Sequence, residues 1–308
     1  MENIRVLCEK MINDNIGLDI DTYVKELLTI AVMAIVIDNG EYAYEKLPNI
    51  LRRMNIYAEN KSVLEIAHET LENYSEDEEL CYADASATRS LSIDPENNSV
   101  DEQLNFLISL TDLEQKNTTK MVEKTVNGLI HFMRFGEINS TNSTIVIKDG
   151  ICTITYDTKK KTLKKKHHVF ESGLSQYYTL RALGKLYSFL EHDNNIENKL
   201  LAKFKADYLV HEPSSYLLPV TIIQSLCTDK YFKDLLDASF DENNGIAKFI
   251  SYYNSILHDS SAFTFLSHQI DRCTMQTNTG DDLAALATLD TIKTEISKFR
   301  NFSKKYKK

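Results

Sequence analysis

Tryptophan is absent from this chain of 308 residues, and glycine (9) and proline (4) are both scarce. Sandwiches and barrels need turn residues every few positions, and collagen-like chains need far more of both. Their scarcity excludes those classes and favours long helices. Cysteine is also sparing. Cys8, Cys81, Cys152, Cys227 and Cys273 are odd in number, widely scattered and never in a CxxC pair. That spacing gives neither a disulfide framework nor a zinc site, and it reads as reduced, mostly buried thiols of a cytoplasmic protein. The sequons at Asn139 and Asn142 then carry no sugar.

Long hydrophobic runs are missing too. The most apolar stretch, Leu27 to Ile37, spans eleven residues, whereas a bilayer needs about twenty. It is expected to be a buried core helix, with no membrane role. The N-terminus lacks a basic segment followed by an apolar one, so no targeting signal is expected. Local catalytic signatures are missing as well. There is no glycine-rich phosphate loop and no GxSxG. The segment Leu64-Glu65-Ile66-Ala67-His68-Glu69 approaches the HExxH helix of zinc peptidases, but Leu64 stands where the first histidine ligand must be. One imidazole cannot replace a pair on one helix face, so no metal and no cofactor are expected.

What is present is an apolar fraction of 43%, enough for a sizeable core, and an uneven charge distribution. Residues 1–110 carry a net −14, and residues 111–308 a net +4. Abundant Asn, Lys and Ile suggest an AT-rich bacterial or phage gene. Apolar positions at helical spacing predict helices over 2–14, from about 21 to Asn39-Gly40, over 41–57 with a kink at Pro48, and over 61–74. Ser75 to Val100 reads as a loop with a short strand near Leu91–Ile93. A further helix is expected over Asp101–Gln115. After Gly173 the pattern is helical to Phe299.

The informative stretch is Thr118 to His168. Val122, Val126, Leu129, Ile130 and Met133 form a helical stripe closed at Gly136. Ser140–Ser143 reads as a linker. Thr144–Ile147 and Ile151–Tyr156 are β-branched runs joined by Lys148-Asp149-Gly150, a strong hairpin signal. Six lysines in eight residues follow: Lys159, Lys160, Lys161, Lys164, Lys165 and Lys166. The fold expected is mainly α, a helical bundle-like protein with one β-hairpin near residues 144–157. With its preceding helix, that hairpin would form a winged-helix element. Three parts are expected: an acidic helical segment 1–115, the helix, hairpin and lysine segment 116–170, and a helical segment 171–308.

Lysine is a compact charge suited to phosphate and poor at reading bases, and no arginine cluster accompanies the run. The six lysines are therefore the candidate nucleic-acid-binding residues, acting by salt-sensitive backbone contacts. His167-His168 and His211-Glu212 are secondary candidates. The imidazoles beside the lysine run should titrate low through like-charge repulsion. Tyr177, Tyr178, Tyr187, Tyr252 and Tyr253 read as core, not as base-stacking platforms. The function expected is a non-enzymatic cytoplasmic binding or adaptor protein of a bacterial or phage assembly, with a protein partner, DNA contact and self-association. Two alternatives stand beside it. One is a metal-dependent nuclease using Glu76, Asp77, Glu78, Glu79, Asp84 and Asp94. The other is a phage-encoded interaction or inhibitor module.

Overall fold

A computed structural model describes residues 2–17, 20–70, 85–94, 99–113, 116–141, 143–191, 196–213, 217–240 and 243–306. Eleven α-helices and two small sheets are found among them, so the protein is mainly α. The chain divides into two compact units, neither continuous in sequence. Residues 1–133 with 178–214 make the first, and residues 134–177 with 215–308 the second.

The first unit opens with α1 (Glu2–Asn15) and α2 (Thr22–Arg53). Among the described residues, α2 is the one helix long and apolar enough to cross a bilayer by length and composition. Here it is a core helix, with Leu27, Leu28, Ala31, Val32, Met33, Ala34 and Ile35 fully buried. Its backbone breaks at Gly40 (φ 53°, ψ −128°), so the stop expected at Asn39-Gly40 is real. Pro48 was expected to kink or split the second segment, yet the non-helical angles are at Gly40 and the helix runs on to Arg53. Proline removes one amide donor but keeps a helical φ.

Three strands follow, β1 (Met54–Glu59), β2 (Ala85–Asp94) and β3 (Ser99–Ser109), with α3 (Val63–Thr70) after β1. The sheet order is β1-β3-β2, with β1 parallel and β2 antiparallel to β3. The helix expected over Asp101–Gln115 is thus a central strand. Leu104 to Ser109 are all buried, as a strand with neighbours on both sides requires, and so short an apolar run fits either periodicity. On this sheet α3 packs Val63, Ile66 and Ala67 against Leu107. Next, α4 (Thr118–Met133) packs on α2 and on α6 (Lys199–Asp207).

The second unit starts with four strands, β4 (Phe135–Thr141), β5 (Thr144–Asp149), β6 (Cys152–Asp157) and β7 (Thr162–Lys166), in a fully antiparallel meander. The expected hairpin is β5–β6. It has a strand on each side, where a two-stranded wing would have none. The expected linker at Ser140-Thr141 belongs to β4, and half of the lysine run is β7. α5 (His168–Glu191) gives residues 168–177 to this unit and the rest to the first. Helices α7 (Leu217–Leu226), α8 (Lys230–Ala238), α9 (Asn243–Leu257), α10 (Ala262–Asn278) and α11 (Asp282–Tyr306) complete it. They close on fully buried rings, with Phe232, Phe249, Phe263 and Phe299 in edge-on contacts at 5.5–5.9 Å. Phe170 of α5 joins them, 5.0 Å from Phe263.

Candidate nucleic-acid interface

Successive strand residues point to opposite faces, and residues in register across strands share a face. The register of β5, β6 and β7 therefore splits the lysine run. Lys148, Thr153 and Lys166 form one row across the three strands, and Val146, Thr155 and Lys164 the next. Thr144, Asp157 and Thr162 make a third row. Asn139 and Thr141 of β4 extend this face, none of whose side chains is buried.

The opposite face carries Ile145–Tyr156–Leu163 and Ile147–Ile154–Lys165. Ile145 and Ile147 are buried, which fixes this as the inner face of the sheet. Lys165 thus points away from Lys164 and Lys166. The six lysines are not one patch. Lys164 and Lys166 share the polar face with Lys148, which the run itself does not contain, and Lys159–Lys161 occupy the β6–β7 turn. Lys148 was legible only through strand register. It shares its face of β5 with Thr144, four residues before it, and its place beside Asp149-Gly150 disguises it as part of the turn.

The turn is shaped by Asp157. Its carboxylate accepts the amide N–H groups of Lys160 (2.9 Å) and Lys159 (3.0 Å), which hold it below the usual carboxylate range. The amide of Thr158 donates to the Ser143 carbonyl at 3.1 Å, tying the β6–β7 turn to the β4–β5 turn at the same end of the sheet. Lys160 Nζ stands 3.9 Å from Asp157 Oδ2 on a side chain that is 78% exposed, so the pair barely offsets the positive charge.

The other end of the sheet is anchored. Arg134, directly before β4, forms a two-pronged ion pair with Glu171 of α5, Nε to Oε1 at 2.5 Å and Nη2 to Oε2 at 3.0 Å. Both side chains are buried, and Glu171 Oε2 also accepts the Ile151 amide at 2.8 Å. Arg134 Nη1 reaches the Ser239 carbonyl at the end of α8. Gly150 sits in the β5–β6 turn with φ +55°, and a Cβ there would lie 2.3 Å from the Glu171 carboxylate. One buried charge pair thus fastens this turn to α5 and α8.

A second anchor lies where β7 enters α5. Asp271 of α10 accepts the Val169 amide at 3.3 Å, and His167 packs on Phe263. Burial pushes the His167 and His168 imidazoles below the usual range. Lys166 and Lys165 respectively push them the same way, and Asp271 opposes. The downward shift expected from the lysines is present, but desolvation leads it. Burial raises the Asp271 carboxyl in turn.

Several of the remaining sequence candidates have structural employment. His211 pairs with the buried Glu123 of α4, not with its exposed neighbour Glu212. Glu65 caps α3 reciprocally with Ser62, accepting its amide at 2.8 Å while its own amide donates to Ser62 Oγ at 3.2 Å. Tyr177, Tyr178 and Tyr253 are buried. Glu76, Asp77, Glu78, Glu79, Asp84 and the Asp94 side chain lie outside the described residues. Among the described residues, no three His, Cys, Asp or Glu groups are placed to hold a metal ion. A groove along α11, lined by Asp290, Lys293, Thr294, Ser297, Lys298 and Asn301, is open and built from one helix. Comparison with protein-family models, curated proteins and solved structures gives no match to this chain.

Proposed function

We propose that this chain is a non-enzymatic accessory or adaptor protein of a cytoplasmic bacterial or phage assembly, and that it holds nucleic acid by the phosphate backbone. The observation that carries the reading is the meander of the second unit. Its outer face gathers Lys148, Lys164 and Lys166 among threonines, and the turn at its open end adds Lys159, Lys160 and Lys161. Threonine hydroxyls and lysine ammonium groups are both phosphate donors, while the absence of arginine from these rows leaves no fork for guanine. Binding is therefore insensitive to sequence. The rigid anchor at the opposite end supports the same reading, because it holds the charged face without using it.

The test compares equilibrium binding of a duplex oligonucleotide at low salt by the wild type, by Lys148→Gln/Lys164→Gln/Lys166→Gln, and by Lys165→Gln. The triple change on the polar face should weaken binding at least tenfold. The single change on the inner face should leave it within twofold. Equal loss in both, or in neither, would refute the reading.

A further inference from the structure

We infer that the ligand of this face is a duplex, gripped on the two phosphate rails that border one groove; this rests on the reading above. The lysines fall into two groups separated along the strands. Lys148 and Lys166 share the row nearest the anchored end, and Lys164 lies two residues on, with its side chain on the same face. Lys159, Lys160 and Lys161 lie at the opposite end, in the turn that Asp157 shapes. Four to five strand residues, at about 3.3 Å each, put roughly 15 Å between the Lys148–Lys166 row and that turn, with the Lys164 row about midway. That span exceeds the duplex minor groove, about 6 Å wide, and is close to the major groove, about 12 Å wide, once lysine side chains lean inward.

Beside and between the lysines the face offers Val146, Thr153, Thr155 and Asp157. None of these stacks on a base, whereas single-strand binders use aromatic platforms. Tyr156, the aromatic residue of β6, belongs to the inner face with Ile145 and Leu163. The Asp157 carboxylate lies between the lysine groups and would repel a strand running straight along the face. It fits a groove spanned from rail to rail, where the stretch over Asp157, between Lys164 and the turn, carries no phosphate.

The experiment measures salt-dependent binding of a DNA duplex, an RNA duplex and a single strand of equal length. It uses the wild type and two variants, Lys159→Gln/Lys160→Gln/Lys161→Gln and Lys148→Gln/Lys164→Gln/Lys166→Gln. Each triple variant should flatten the duplex salt slope by up to about 2.7, three contacts at roughly 0.9 each. Uncharged methylphosphonate linkages on one rail should weaken the wild type strongly and either variant little, because a variant left with one lysine group can turn to the charged rail. The single strand should bind at least tenfold more weakly than the preferred duplex, and the DNA and RNA arms show which duplex that is. Equal binding of duplex and single strand, or methylphosphonate effects in the variants as large as in the wild type, would overturn the two-rail grip while leaving backbone binding intact. No binding to any of the three at low salt would overturn both.

Discussion

The Arg134–Glu171 pair is the residue whose removal should be felt furthest. Both groups have left water, and one carboxylate serves a guanidinium and the Ile151 amide together. Breaking a buried pair from one side leaves an uncompensated charge and costs about 3–5 kcal/mol. Glu171→Ala should lose stability of that order by chemical denaturation. Glu171→Gln keeps an acceptor for the Ile151 amide, so it should lose distinctly less. Equal losses would mean that the amide contact adds nothing. The lysines themselves, and the Asp149-Gly150 turn, were plain in the sequence. Their division between faces was not, since it depends on where β7 pairs. Nor was the buried pair, whose members are 37 residues apart and sit in unremarkable local contexts.

Among the elements, α2 shows how one glycine sets a helix's course. Gly40 adopts a backbone conformation that side-chain-bearing residues avoid, and nothing lies within 4 Å of where its Cβ would be. Gly40→Ala should therefore cost conformational strain alone, about 1–3 kcal/mol, seen as a lower denaturation midpoint with no change in slope. An unchanged midpoint would show that the break tolerates a side chain. The segment ending there carries Asp38, whose buried carboxylate opposes the helix dipole. Arg181 at 2.7 Å and Lys185 at 2.8 Å compensate it. The Asn39-Gly40 stop was readable because it is a local signal. β1 and β3 were not, because Leu104 to Ser109 is too short to reveal its period and its strand character comes from partners on both sides. β7 escaped for a related reason. Thr162–Lys166 has no apolar alternation, and it is a strand because β6 offers it a free edge; lysines on such an edge also discourage pairing with other chains.

At the scale of the whole molecule, the chain leaves its first unit after Met133, returns at Tyr178 and leaves again after Ser214. The buried Glu123 of α4 takes its partner His211 from the returning segment, and Arg181 and Lys185 of that segment neutralise Asp38. A fragment of residues 1–133 should therefore show no cooperative unfolding transition, and appending residues 178–214 through a flexible linker should restore one. A sharp transition in the short fragment would mean that the returning helices are dispensable. Such crossings leave no mark in composition, because helical periodicity runs through α5 without interruption.

The central claim is that the meander meets nucleic acid through charge alone. Its most direct test is the affinity of the wild-type protein for duplex DNA as salt is raised from about 50 to 200 mM. Backbone contact by five or six lysines predicts a straight line of log affinity against log salt with a slope near −5, the same for unrelated sequences. A flat line, or a slope that depends on sequence, would contradict it.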